Sequence, residues 1–162
     1  GGLLAGTPVP EIELEIADDG EIVVTGPHVL KGYLDGKGDA ETKFTGADGE
    51  TIWHRTGDLG RLDTDGRLWL LGRVSAKIGD ELCPFAVECA LSFVEGVGRT
   101  AVLESEEDGQ PVLFLEGNGE VGPILNQFGI HRIIPLKKIP VDRRHNAKVD
   151  YPALRKILAN FE

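Results

Sequence analysis

The 162-residue sequence predicts an α+β fold, in which a small antiparallel β subdomain is followed by a compact α+β C-terminal domain. In the first part, residues 11–16 (EIELEI) alternate strictly between polar and apolar, as in a half-buried strand. In the second part, apolar residues recur at helical spacing over 84–95 and 151–161. The pattern changes after Arg73, where we place the domain boundary.

The first domain, residues 1–73, is expected to consist of short strands. Ile12, Leu14 and Ile16 share the buried face of the first strand, because side chains alternate along a strand. The Gly- and Asp-rich stretch 35–48 is typical of an exposed loop. Strands are expected over residues 11–16, 21–25, 51–55, 59–62 and 67–71. Turns are expected at Asp18-Asp19-Gly20, Thr56-Gly57-Asp58 and Asp65-Gly66.

The second domain, residues 74–162, mixes helices with strands. Pro84 suits the first turn of a helix. Helices are expected over 84–95, 121–128 and 151–161, and strands over 100–103, 111–115 and 133–139. One side of the last helix carries Leu154, Ile157, Leu158 and Phe161.

Composition narrows the range of functions. A net charge of −10 argues against binding of nucleic acids or anionic membranes. No apolar stretch reaches roughly 18 residues and no basic-then-apolar leader occurs, which predicts neither a membrane span nor secretion. The two cysteines and four histidines lack the spacing of metal ligands, which predicts no metal site and a cytoplasmic protein. The chain begins Gly1-Gly2 and contains no methionine, which we interpret as a fragment of a longer protein.

Charge is distributed unevenly along the chain. Residues 131–148 contain six basic residues and one acid, a net charge of +5, whereas the remaining residues carry a net charge of −15. This basic segment can be a solvated loop, or it can bind a specific anion such as a polyphosphate.

Asp58 and Arg73 are the first candidate site residues. Both belong to the same predicted hairpin, so we expect their side chains to lie close together. A carboxylate can accept hydrogen bonds from both hydroxyls of a ribose while an arginine donates nearby. Taken singly, Asp58 fits an ordinary turn and Arg73 an ordinary surface arginine. A calcium loop around Gly66 is excluded, because it would need carboxylates at Arg61 and Gly72.

Lys148 is the third candidate. The small residues Asn146 and Ala147 precede it and leave room for its side chain to enter a cleft. A lysine there could neutralise charge that develops on a phosphate and an attacking carboxylate. On spacing alone, a solvated surface lysine is the simpler interpretation.

The order of these segments resembles the adenylate-forming superfamily, which includes acyl-CoA synthetases, adenylation domains of peptide synthetases and firefly-type luciferases. The resemblance is carried by Gly20–Pro27 with Gly32-Tyr33, Arg55–Gly60, Asp65-Gly66, Leu71-Gly72-Arg73 and Asn146-Ala147-Lys148. Residues 140–148 (PVDRRHNAK) are more similar to the β-lactone synthetases of bacterial olefin biosynthesis and related acyl-AMP ligases.

This resemblance implies that Asp58 and Arg73 bind the ribose of ATP and of the acyl adenylate. It implies that Lys148 is the catalytic lysine, which bridges carboxylate, phosphate and ribose oxygens. Ser75 would be the hinge, and the C-terminal domain would be a mobile lid that adopts one orientation for each half-reaction. The implied reaction uses ATP and Mg²⁺ to convert a carboxylic acid, interpreted as a fatty acid, into acyl-AMP and pyrophosphate.

The chain departs from the superfamily in four respects. Residues 140–148 are longer than the superfamily's usual Pro-Arg-Thr-x-Ser-Gly-Lys segment. Ser75 stands where the superfamily has Asp or Lys. The loop from Ile78 to Pro84 is short, which argues against CoA as the acceptor. The superfamily's phosphate-binding loop, adenine pocket and acyl pocket lie N-terminal to the segments found here. We therefore expect the chain alone to be inactive and to bind neither ATP nor Mg²⁺ tightly.

A second hypothesis is a non-enzymatic module. Such a module would keep the lid fold and use the basic segment to dock an acidic partner, such as an acyl carrier protein.

Overall fold

The computed structural model describes residues 1–142 and 148–161, which fall into two units. The first unit spans Gly2–Ala76, and the second runs from Lys77 to the C-terminus and includes Gly1. Each unit contains a sheet with helices, so the predicted α+β class is confirmed.

The first unit is built on a six-stranded sheet with antiparallel pairing throughout. Its strands are β1 Leu3–Gly6, β2 Glu13–Ile16, β3 Glu21–Thr25, β4 Lys43–Thr45, β5 Ile52–Leu62 and β6 Leu68–Arg73. The order across the sheet is β1-β6-β5-β3-β2, and β4 also pairs with β5. The sheet buries Ile22, Val23, Trp53 and Leu59.

The predicted hairpin at the start of the sheet is confirmed. Glu13 pairs with Thr25 and Ile16 with Ile22, so the chain reverses around residues 18–20. Burial follows the predicted alternation, although the apolar side chains of β2 are only half-buried.

The prediction of one exposed loop over 35–48 is wrong. This stretch contains a short helix, α1 (Asp39–Thr42), followed directly by β4. Strand β4 forms because Phe44 stacks on Trp53 of β5, with ring centroids 6.4 Å apart, and pairs with it across the strands.

The predicted two-residue turn at Asp65-Gly66 is also wrong. The last pair before the loop is Leu62 with Leu68, so the connection spans residues 63–67. The Asp63 carboxylate organises this longer loop by accepting hydrogen bonds from the backbone N–H groups of Asp65 and Arg67. Asp side chains commonly close turns in this way.

The second unit combines three strands with three helices. These are α2 Pro84–Leu91, β7 Val97–Glu104, β8 Pro111–Gly117, α3 Gly122–Gln127, β9 Arg132–Leu136 and α4 Tyr151–Leu158. The sheet order is β7-β8-β9, with β7 antiparallel and β9 parallel to β8.

Helices cover both faces of this sheet. Leu113 of β8 packs in a cluster with residues of α2 and α3, such as Leu91 and Leu125. Phe114, the next residue, packs in a second cluster with Leu154 of α4. Since successive side chains point to opposite faces, the continuous apolar run at 112–115 reflects burial on both sides.

Two helices end earlier than predicted. Helix α2 stops at Leu91, and Phe93 beyond it is 87% exposed. Helix α4 stops at Leu158, and Phe161 is 57% exposed. Each helix ends at its last residue buried in the core, which is why apolar spacing alone extended the predictions too far. Strand β9 likewise ends at Leu136 rather than at residue 139.

Within residues 1–142 and 148–161, no helix has the length and apolar character needed to cross a membrane. The same residues contain no cluster of three or more His, Cys, Asp or Glu side chains arranged to hold a metal ion. Cys83 and Cys89 are free thiols.

Candidate functional site

The segment that carries Asp58 is a bulge inside a continuous strand. Val23 of β3 pairs with Arg55 of β5, and Glu21 pairs with Leu59. One residue of β3 therefore faces the three residues 56–58 of β5. The predicted turn at 56–58 is wrong, because hydrogen bonding continues on both sides of it and β5 runs to Leu62. A bulge bends the strand and re-aims its side chains.

Gly57 allows this bulge to form. Its φ is +74°, in the left-handed region that residues with a Cβ atom rarely adopt. The backbone conformation of the bulge therefore favours glycine at the position before Asp58.

Asp58 and Arg73 lie directly opposite each other on β5 and β6. Arg73 Nη1 donates to Asp58 Oδ1 at 2.9 Å and to the Thr56 carbonyl oxygen at 3.4 Å. The Asp58 side chain is 31% exposed and the Arg73 side chain is 64% exposed, so the pair is accessible to a ligand. The hairpin predicted this proximity, and the structure confirms it.

Glu21 holds the other side of the bulge, and sequence reasoning missed it. Its side chain is only 8% exposed. Glu21 Oε2 accepts from Arg55 Nη1 at 2.6 Å, and Oε1 accepts from the Gly57 N–H at 2.8 Å. A signal existed in the alternation of β3, which places Glu21 on the same face as Val23 and Thr25.

Thr56 connects the bulge to β3. Its hydroxyl donates to the Ile22 carbonyl oxygen at 2.8 Å and accepts from the Asp58 N–H at 3.1 Å. Side chains thus replace the ladder hydrogen bonds that the bulge interrupts.

Ser75 lies in a short 3₁₀ helix, Val74–Ala76, that follows β6 directly. Its side chain is exposed. The division between the two units falls immediately after this helix.

Lys148 belongs to the second unit and is exposed. Its carbonyl oxygen accepts from the Asp142 N–H, and the adjacent Val141 and Val149 form an antiparallel bridge. The Asp150 side chain accepts from the Ala153 N–H and caps α4. These contacts fix the backbone of residues 141–142 and 148–150. Residues 143–147, which precede the lysine, lie outside the described part of the chain.

Glu88 on α2 has a perturbed pKa but lies within the second unit. Burial raises its pKa to about 7, against the opposing effect of a hydrogen bond from the Val102 N–H. Burial and the charge of Glu88 also raise the pKa of Tyr151. We interpret Glu88 as a partly buried structural carboxylate that links α2 to β7.

The Asp58–Arg73 pair can recognise a vicinal diol. A carboxylate accepts hydrogen bonds from two neighbouring hydroxyls, and the ion pair uses only Oδ1. Arginine supplies several donors in a fixed plane, so it can hold the carboxylate and also contact the ligand.

No protein-family model matches the sequence. The chain is 40% identical over 109 residues to a 2-succinylbenzoate–CoA ligase of Listeria monocytogenes, which covers 64% of this chain and 22% of that ligase. It is 32% identical over 160 residues to an olefin β-lactone synthetase of Stenotrophomonas maltophilia, which covers 84% of this chain and 29% of that enzyme. The chain thus spans less than a third of the length of either relative.

The fold also matches a solved structure, the O-succinylbenzoate coenzyme A synthetase of Bacillus subtilis. Its complex with AMP has a TM-score of 0.65 and 26% identity, and covers 90% of this chain and 36% of that one. Its complex with ATP and a magnesium ion has a TM-score of 0.64 and 29% identity, and the match covers 90% of this chain and 34% of the synthetase chain.

These similarities in sequence and fold confirm the resemblance that the motifs predicted. The chain is homologous to the C-terminal part of acyl-CoA ligases of the adenylate-forming superfamily.

Proposed function

We propose that this chain is the C-terminal part of an ATP-dependent ligase that activates a carboxylic acid as acyl-AMP. The observation that carries the proposal is the Asp58–Arg73 pair, held at 2.9 Å on neighbouring strands and accessible to a ligand. Similarity to a synthetase solved with AMP, and with ATP and magnesium, supports a nucleotide as that ligand.

In this proposal Asp58 accepts hydrogen bonds from the ribose hydroxyls. Arg73 holds the carboxylate in place and donates to the ribose. Hydrogen bonds to a charged group contribute about 1.5–3 kcal/mol each, enough to orient the nucleotide.

Lys148 is proposed to act in the adenylation step. Its ammonium group would stabilise negative charge on the attacking carboxylate and on the α-phosphate as the bond to pyrophosphate breaks. The hydrogen bond from the Asp142 N–H to the Lys148 carbonyl oxygen and the neighbouring Val141–Val149 bridge support this role, because they fix the backbone from which the lysine side chain extends. Mg²⁺ would offset the charge of the triphosphate.

Ser75 is proposed as the hinge between a first domain over 1–73 and a lid over 74–162. Its place in an exposed 3₁₀ helix directly before the division between the two units supports this assignment. Short 3₁₀ turns are common connectors between elements.

The proposal also concerns which carboxylic acid is activated and which molecule accepts the acyl group. The name of one relative, 2-succinylbenzoate–CoA ligase, supports CoA as the acceptor, whereas the short loop after Ser75 argues against it. The similarity to an olefin β-lactone synthetase supports an acyl-AMP ligase. We propose a carboxylic acid substrate, with a fatty acid as the class predicted from the motifs. Two free thiols support a reducing, cytoplasmic location.

The test is ATP–pyrophosphate exchange by the natural protein that contains this chain, with panels of aromatic and fatty carboxylic acids. Acid-dependent exchange is expected, and adding CoA then separates a CoA ligase from an enzyme that releases acyl-AMP. A full-length protein that shows no exchange with any acid would contradict the proposal.

The basic segment allows a second candidate, an interaction module for an acidic partner. Lys137 and Lys138 of this segment are exposed, while Arg143 and Arg144 lie outside the described residues. The exchange assay separates the two candidates, because a module would not exchange pyrophosphate.

A further inference from the structure

Glu21 is a buried carboxylate whose two oxygens serve different partners. Oε2 faces the guanidinium of Arg55, while Oε1 accepts the N–H of Gly57 in the bulge. A carboxylate that is 8% exposed is costly unless its charge is balanced. Arg55 supplies that balance, and the Glu21 carboxylate accepts a charge-assisted hydrogen bond from the bulge.

Arg55 makes two further contacts. Its guanidinium lies over the Phe44 ring, 5.2 Å from the centroid, and 3.7 Å from the Asp19 carboxylate. Glu21 therefore connects a fixed arginine on β5 with the backbone of Gly57 two residues further along.

The direction of Asp58 depends on this backbone. Asp58 follows Gly57 immediately, and its own N–H is held by the Thr56 hydroxyl. If Glu21 released the Gly57 N–H, a partly buried donor would lose its acceptor and the bulge could rearrange. Asp58 would then lose the alignment that places Oδ1 against Arg73.

We infer that Glu21 is a positioning residue, which fixes the Gly57 bulge so that Asp58 presents its carboxylate to the ribose. The effect of Glu21 on ribose binding rests on the proposed function, whereas its support of the bulge rests only on the observed hydrogen bonds. Glu21 acts through Gly57 and Asp58 and makes no contact with the nucleotide in this scheme.

The test uses Glu21→Gln, with Glu15→Gln as the matched control. Glu15 is an exposed carboxylate on the neighbouring strand β2. In Glu21→Gln, an NH₂ group replaces one of the two accepting oxygens. A donor then faces another donor, either the Arg55 guanidinium or the Gly57 N–H. Amide hydrogen exchange of Gly57, followed by NMR in the 162-residue chain, should accelerate about tenfold, the effect of losing one hydrogen bond to a charged acceptor. Glu15→Gln should leave it unchanged.

Steady-state kinetics of the full-length protein supply the second readout. Glu21→Gln should raise KM for ATP about tenfold, by misdirecting a charge-assisted hydrogen bond, and leave KM for the acid unchanged. In an Asp58→Ala background, Glu21→Gln should cause no further change, because its effect acts through Asp58.

A second substitution tests the reason for the effect. Arg55→Met in the Glu21→Gln background removes the opposing donor, so the glutamine oxygen can accept from Gly57 again. Slow Gly57 exchange and a lower KM for ATP should return in this double variant.

The outcomes separate this inference from the proposed function. A folded Glu21→Gln protein with normal Gly57 exchange and normal KM for ATP overturns the positioning role. Equal rises in KM for ATP and for the acid would point to a general structural effect and also overturn it. If Asp58→Ala leaves KM for ATP unchanged, the nucleotide role of both residues fails, while Gly57 exchange still decides whether Glu21 holds the bulge.

Discussion

Asp58 and Arg73 form an ion pair across two adjacent strands, with Arg73 Nη1 2.9 Å from Asp58 Oδ1. The two residues are directly paired in the β5–β6 register, so the backbone pairing of the hairpin by itself brings them close together. A second pair, between Arg67 and Asp63, lies at the loop end of the same hairpin. The hairpin thus offers a built-in comparison between an ion pair at the candidate site and one remote from it.

Asp58→Ala in the full-length protein is expected to lower kcat/KM for ATP roughly 10- to 100-fold, because hydrogen bonds from the ribose hydroxyls to a carboxylate are lost. Asp65→Ala is the control, since Asp65 is an exposed aspartate paired with Arg67 at the loop. Steady-state kinetics with varied ATP measure both. Equal losses in the two variants would contradict the ribose role of Asp58.

Arg73→Ala is expected to reduce kcat/KM for ATP about tenfold through the loss of one charged donor. Its effect on stability should stay below about 1 kcal/mol, because exposed ion pairs contribute little to the free energy of unfolding. Arg67→Ala removes the ion pairs with Asp63 and Asp65 at the loop, remote from the candidate site, and should leave the kinetics unchanged. Urea unfolding and kinetics together separate the two effects, and a kinetic defect in Arg67→Ala would argue against the assignment.

Lys148→Ala is expected to slow formation of acyl-AMP roughly 100- to 1000-fold, as for removal of a group that stabilises transition-state charge. Hydrolysis of added acyl-AMP should change much less, because that step no longer requires attack on the α-phosphate. Lys156→Ala is the control, as Lys156 is an exposed lysine on α4 of the same unit. Single-turnover assays measure both steps, and equal losses in formation and hydrolysis would rule out the proposed role.

Glu88 should make stability depend on pH. Its pKa is about 7 in the folded protein against 4.5 for the free group, so the folded state binds the proton more tightly. Stability from this group is therefore present at low pH and is lost as the pH rises from about 4.5 through 7. The loss is roughly 3 kcal/mol, since each pKa unit corresponds to about 1.4 kcal/mol.

Glu88→Gln should remove this dependence, since glutamine carries no charge and can still accept from the Val102 N–H. The variant should be more stable than the parent at about pH 8 and similar at about pH 5. Urea unfolding at both pH values measures the difference, with the exposed Glu95→Gln as control. A parent protein whose stability is unchanged between these pH values would contradict the assignment.

Local patterns in the sequence predicted the α+β class and the approximate positions of most strands and helices. Alternation at 11–16 and helical spacing at 84–95 report which side chains are buried, and burial follows directly from residue type. Element ends were predicted less well. Helix α2 ends at Leu91 and Phe93 beyond it is exposed, and apolar spacing alone does not distinguish these two residues.

The candidate site, too, could be predicted only in part from the sequence. Asp58 and Arg73 could be predicted as neighbours, because one hairpin joins them and hairpin pairing is local. The bulge at Gly57 and its support by Glu21 depend on the pairing of β3 with β5, in which residues 36 positions apart are hydrogen-bonded. That register is decided by how the whole sheet packs, so only the tertiary structure places the buried carboxylate of Glu21 beneath the segment that presents Asp58.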